Sequence, residues 1–130
     1  MRASAGRLRG SLFTMDVRDE IHLDAFSTGI GNTNLPPSRR RGIELDGNWK
    51  MSERLALRAA YTYTDARFRE GSFAGGAFGA NFANVIIAGK KVPLVPKQKA
   101  NLTASWTLAA KTRLVGSGAY VASQFMDNDE

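Results

Sequence analysis

The feature that most constrains this chain is a strict two-residue alternation that recurs over several stretches. From Ile43, one face reads Ile43, Leu45, Gly47, Trp49 and the other Glu44, Asp46, Asn48, Lys50. After "MSER" a second run sets Leu55, Leu57, Ala59, Tyr61, Tyr63 against Ala56, Arg58, Ala60, Thr62, Thr64. A third sets Ala100, Leu102, Ala104, Trp106, Leu108 against Asn101, Thr103, Ser105, Thr107, and a fourth, less cleanly sorted, runs from Thr112 to Gln124. Period two is the signature of strands with one apolar face, and it excludes a helical bundle. With the N-terminal stretch "RLRGSLFTMDVRDEIHLDAF", bent near Val17 to Asp19, the count is five strands, over about 8–26, 41–50, 55–69, 98–108 and 112–124. The expected fold is therefore all-β, an antiparallel up-and-down meander.

The connections alternate in length. "MSER" and "AAK" suit tight hairpins, whereas 27–38 and 70–96 read as long loops. Long, short, long, short places both long loops at one end of the sheet. Outer-membrane barrels have that asymmetry, with short turns on one side and long loops on the other, and with aromatic girdles at both interfaces. Trp49, Tyr61, Tyr63, Trp106 and Tyr120 all stand near strand ends on the apolar face and are the expected membrane-interface aromatics. In "VPLVP", Pro93 and Pro96 remove ladder donors, so that segment reads as the loop's return to the next strand.

Composition narrows the partner but does not name it. A formal charge of +6 points to an anionic partner: nucleic acid, a lipid surface or an acidic ligand. There is no cysteine, hence no disulfide framework and no thiolate metal site. No window approaches the roughly 20 apolar residues of a membrane helix, and the N-terminus carries no apolar signal-peptide run. A β-barrel is untouched by that test, since its strands alternate.

No catalytic constellation can be assembled, and the expectation is a non-enzyme without cofactor or metal. One histidine, His22, stands beside Asp19, Glu20 and Asp24 without a second strong ligand, so it reads as a wall or loop residue. "AGKKV" lacks the glycine offset and the Ser/Thr of a phosphate loop. The acidic "DNDE" from Asp127 offers hard oxygen ligands, but a loop start explains it more simply. Glu44 and Asp46 share a face with Asn48, which suits a hydrated lumen. The basic residues Arg39, Arg40, Arg41, Arg67, Arg69, Lys90 and Lys91 gather around the long loops and are the expected outer-rim or ligand contacts. Nucleic-acid binding would interleave exposed aromatics with these charges on one platform, and here Trp and Tyr alternate instead with serine and threonine.

The motifs, taken in order, are specific where each alone is weak. "SLFTMDVRDEI", "NTNLPPSRRRGIELDGNWKMSERLALRAAYTYTDARF", "GKKVPLVPKQKANLTASW" and "YVASQFMDND" resemble the late barrel strands of TonB-dependent outer-membrane receptors, from about Leu12 to Asp129. The resemblance implies a segment of a roughly 22-stranded barrel in the outer membrane of a Gram-negative bacterium. It further implies uptake of a ferric siderophore or similar scarce nutrient, with outer-membrane lipid and lipopolysaccharide, the rest of the barrel, the plug, and TonB reached through the plug as partners. No plug, TonB-binding box, signal peptide or closing aromatic strand is recognisable in the sequence, so a barrel fragment is expected. The rival is a soluble all-β binding module whose basic surface takes an anionic polymer such as nucleic acid. The two differ in whether the face of Ile43, Leu45, Leu57, Leu102 and Leu114 is covered by a second layer.

Overall fold

The computed structural model describes residues 5–24, 31–74 and 84–124. Among them there are nine strands: β1 (Ala5–Val17), β2 (Glu20–Asp24), β3 (Gly31–Leu35), β4 (Ser38–Lys50), β5 (Leu55–Phe68), β6 (Ser72–Ala74), β7 (Asn84–Ile86), β8 (Gln98–Ala109) and β9 (Thr112–Val121). Five form one antiparallel sheet in the order β1-β4-β5-β8-β9, and β2-β3 and β6-β7 are separate two-stranded pairs. No described helix is long and apolar enough to cross a membrane, a statement that does not bear on β-barrels. The chain falls into two compact units, one of Met1–Phe13, Gly42–Thr64 and Pro96–Ser123, the other of Thr14–Arg41, Asp65–Val95 and Gln124–Glu130.

The first unit contains the alternating stretches. Its register sorts the faces as the sequence period requires: Leu55, Leu57, Ala59 and Tyr61 stand opposite Trp106, Ala104, Leu102 and Ala100. On the other side of β8, those four stand opposite Leu114, Gly116, Gly118 and Tyr120. Bulky residues thus meet small ones in the rows Ala59–Leu102–Gly118 and Leu57–Ala104–Gly116, which lets the outer face stay smooth. The hairpins are tight: Met51 N–H donates to the Leu55 carbonyl at 2.9 Å, and Ser52 Oγ accepts from the Leu55 N–H at 3.0 Å.

Among the described residues nothing covers this apolar face. Leu102 is 53% exposed, Leu114 58% and Leu12 81%, with Ile43, Leu45 and Trp106 exposed as well. Leaving such side chains in water forgoes up to about 1.5–3 kcal/mol each. The sheet's main strands, 13 residues in β1 and β4, 14 in β5, 12 in β8 and 10 in β9, each reach or exceed the minimum of the ~9–11 residues that a tilted strand needs to cross a bilayer.

Small residues carry the wall's large aromatics. The Trp49 indole lies over Gly6 on β1 and Gly47 on its own strand, where a Cβ would run into the ring. The bulky ring therefore lies along the sheet, and Gly47 beneath it is buried.

The second unit holds the buried apolar cluster: Leu35, Ala66, Phe68, Ile87 and Val92, with Val95 against it. Of the segments expected as long loops, 27–38 carries β3, paired with β2 from Glu20↔Leu35 to Asp24↔Gly31, and 70–96 carries β6 and β7, paired from Ser72↔Ile86 to Ala74↔Asn84. β3, β6 and β7 are short and carry Asn, Gly, Ser and Ala, so composition gave little strand signal there. The first strand, read as 8–26, ends at Val17, because Asp19 takes a left-handed conformation at φ 56° and breaks the ladder before β2. The parts of these readings over 25–30 and 75–83, and the acidic tail from Asp127, lie outside the described residues.

Backbone bonds stitch the end of β5 to the returning chain: Phe68 N–H to the Lys90 carbonyl at 3.0 Å, Gly89 N–H to the Phe68 carbonyl at 2.9 Å, and Val92 N–H to the Ala66 carbonyl at 3.0 Å. "VPLVP" then turns the chain, with Pro93 and Pro96 buried and Leu94 at φ 59°. Gly71 is fixed twice, by φ 111° and by Pro36, whose Cβ would lie 2.6 Å from any Cβ placed there. Gly71→Ala should therefore cost about 1–3 kcal/mol in urea unfolding, and a neutral result would show that Pro36 does not press on it.

Candidate functional site

Of the basic residues singled out in the sequence, Arg39, Arg40 and Arg41 open β4, Arg67 stands near the end of β5 with Arg69 just beyond it, and Lys90 and Lys91 lie on the returning chain, all in the second unit. Alternation divides the arginine run. Arg39 and Arg41 share the odd parity of β4, and Arg40 takes the even one. On the odd side, Arg39 Nε and Nη2 donate to the two carboxylate oxygens of Asp16 at 2.8 and 3.0 Å, a bidentate pair. Arg69 Nη1 reaches the same carboxylate at 3.8 Å. Asp65 holds Arg67 Nε at 3.0 Å and faces Arg41 Nη2 at 3.7 Å. Arg67 also donates to the Gly89 carbonyl at 3.0 Å, tying this cluster to the returning chain.

On the even side Arg40 Nη2 donates to both Glu20 oxygens at 2.6 Å. Ser38, of the same parity, is 1% exposed, and its Oγ and Arg40 Nε are buried without a hydrogen-bond partner among the described residues. A buried donor left unmade costs about 1–3 kcal/mol, so this notch is a place for water or a polar ligand atom. Lys90 and Lys91 belong to the stitched return: Lys91 bridges to Arg67 across an isolated pair, and Lys90 N–H donates to the Ile87 carbonyl at 2.9 Å.

The Arg39 guanidinium, by donating to Asp16, holds that carboxyl below the usual aspartate range, and Asp16 in turn raises Arg39. A depressed carboxyl stabilises the fold above its unfolded value and loses that contribution as pH falls through the lower folded value. The expected result is that the Asp16 carboxyl resonance titrates below the ordinary aspartate range, and that Arg39→Gln moves it upward. A resonance indifferent to Arg39→Gln would show that the bidentate pair does not persist in solution.

The aromatics stand in the first unit, at two levels. Tyr61 and Tyr120 flank Ala100, and Trp106 lies between Leu55 and Leu114. Ala100 and Trp106 are six residues apart, about 20 Å along the strand. Tyr63 carries Lys97 Nζ over its ring at 5.6 Å. On the opposite face of the same unit the side chains are polar and partly paired: Ser11 Oγ with Glu44 at 3.3 Å, Asp46 with Arg58 at 3.9 Å, and Arg113 donating to Ser105 Oγ at 2.7 and 3.1 Å. Among the described residues no group of three or more His, Asp or Glu could hold a metal ion. The carboxylates that organise the rim, Asp16, Glu20 and Asp65, were not singled out in the sequence. Counting parity outward from Leu8 and Leu12 would have put Asp16 on the same side as Arg39.

The TonB-dependent receptor-like β-barrel family model matches residues 2–130. The chain is also similar to an uncharacterized TonB-dependent receptor of Haemophilus influenzae (strain Rd), 30% identical over 113 residues. That match covers 81% of this chain and about 30% of the relative, so the chain spans less than a third of the relative's length. No solved structure matches it. The all-β antiparallel sheet accords with that match, and the chain belongs to the TonB-dependent receptor-like β-barrel family.

Proposed function

We propose that these strands form part of the wall of an outer-membrane receptor of a Gram-negative bacterium, which takes up a ferric siderophore or a similar scarce nutrient without catalysing a reaction. The uncovered apolar face carries this reading: among the described residues none lies as a layer over Leu102, Leu114 and Trp106. In lipid they are at home, and Trp49, Tyr61, Tyr63, Trp106 and Tyr120 act as the interface anchors. The opposite face, with Glu44, Asp46, Arg58 and Arg113, lines a hydrated interior that receives the plug, through which TonB supplies energy. Arg40, on that interior parity and paired with Glu20, is the rim cation best placed to meet an anionic ligand, with Lys90 and Lys91 on the returning chain.

A soluble module with a basic surface for nucleic acid would have to hide the apolar face beneath a second layer, and among the described residues none does. The test is uptake. A strain lacking the gene should lose accumulation of a labelled ferric siderophore, and the wild-type gene should restore it. Undiminished accumulation of siderophore, haem and cobalamin in the deletion strain would overturn the transport reading.

A further inference from the structure

The stretch "LPPSRRR" removes backbone donors just where a hydroxyl is buried. Pro36 and Pro37 carry no N–H, so the main-chain groups that a serine Oγ could use on its N-terminal side are missing. The Pro37 carbonyl already accepts from the Arg69 N–H at 2.8 Å. Ser38 is nevertheless only 1% exposed, in the unit that also buries Leu35, Phe68, Ile87 and Val92. Two residues on, and on the same side of β4, Arg40 has its Nε buried while its Nη2 donates to both Glu20 oxygens at 2.6 Å. Among the described residues neither Ser38 Oγ nor Arg40 Nε has a hydrogen-bond partner.

We propose that one buried water molecule bridges Ser38 Oγ and Arg40 Nε, and that Ser38 is thereby a positioning residue for the Arg40 guanidinium. The chemistry of the two atoms selects the occupant. Nε–H can only donate, whereas a hydroxyl donates or accepts, so the bridging group must accept at least one bond. An anion would accept both, but the Glu20 carboxylate already balances the guanidinium, and a second negative charge shut away from solvent would go unmatched. A cation would be repelled by the guanidinium, and an apolar group would leave both polar atoms unmade. Water accepts from Nε–H and shares a proton with the hydroxyl at no cost in charge, as buried waters do where polar groups lack protein partners. Held through Nη2 by Glu20 and through Nε by the water, the guanidinium plane keeps one orientation. The 21% of the side chain still exposed is the part open to an incoming group.

The test uses the whole protein in detergent with 15N-labelled arginine, together with its crystal structure. Arg40→Lys, which keeps the charge but lacks Nε, identifies the Nε–H resonance by its disappearance. In the unaltered protein that proton should show a cross-peak to a long-lived water, and the crystal should hold one ordered water about 2.7–3.2 Å from both atoms. Ser38→Ala should abolish the cross-peak and speed exchange of the Nε proton about tenfold, while Ser52→Ala, at a hairpin in the other unit, should change neither. If Ser38→Ala does not accumulate, the cross-peak and the ordered water of the unaltered protein carry the test alone. A missing cross-peak, density without a water between the two atoms, unchanged exchange in Ser38→Ala, or a bromide ion at that position in bromide-soaked crystals would each overturn the proposal.

Discussion

Leu102→Arg should cost about 2–4 kcal/mol when the protein is unfolded by urea from a lipid bilayer, while Asn101→Arg, one residue earlier, should stay within about 0.5 kcal/mol. Leu102 lies in the row Ala59–Leu102–Gly118, between the two aromatic levels, two residues from Ala100 and four from Trp106, so in the proposed membrane setting its side chain projects into the apolar core. Asn101 stands opposite Ala60 and Ala119 on the polar face, where a guanidinium remains hydrated. The contrast matters because Leu102 is already 53% exposed. If that face met water, arginine would be tolerated at 102 as easily as at 101. Two equal, small values would therefore sink the membrane assignment, and a large asymmetry between adjacent residues has no simple soluble explanation.

Gly42→Val should be about as damaging, by about 3 kcal/mol or more. A Cβ at this position would run into the backbone carbonyl of Tyr63 and lie 2.6 Å from the Phe13 ring. The ring could swing aside, but the carbonyl belongs to a paired strand and cannot retreat without breaking the ladder. Gly116 is the internal comparison. Nothing lies within 4 Å of a Cβ there, so Gly116→Ala should be neutral or slightly stabilising through reduced freedom of the unfolded chain. Equal tolerance at both sites in the same urea titration would mean that Phe13 and Tyr63 do not close over Gly42.

Much of the wall was legible in the sequence because a period of two leaves few choices. Once Leu57 and Leu102 share a face, Arg58 and Thr103 must share the other, and the register obeys this. The tight turns were readable for the same reason, since only a few residues separate the alternating runs. Less legible was the loop end. Phe68 and Ile87 become buried partners across a stretch rich in glycine and alanine, where no period distinguishes a packed residue from a free one. The rim charges were found as residues but not as pairs. Arg39, Arg40 and Arg41 are identical in composition, and only their parity, combined with the positions of Asp16, Glu20 and Asp65 on other segments, separates an outward pair from an inward one.

The strand order carries a consequence in the arithmetic of ring closure. In an antiparallel sheet ordered β1-β4-β5-β8-β9, the first and fifth strands point the same way. Copies arranged head to tail would therefore meet at a parallel seam, and no number of them gives a ring antiparallel at every contact. Two copies joined edge to edge about a twofold axis would be antiparallel there, but would aim their loop ends in opposite directions. A ring alternating throughout and keeping all its loops on one rim needs a complement with an odd number of strands. That sets a counting rule for any polypeptide able to complete this wall.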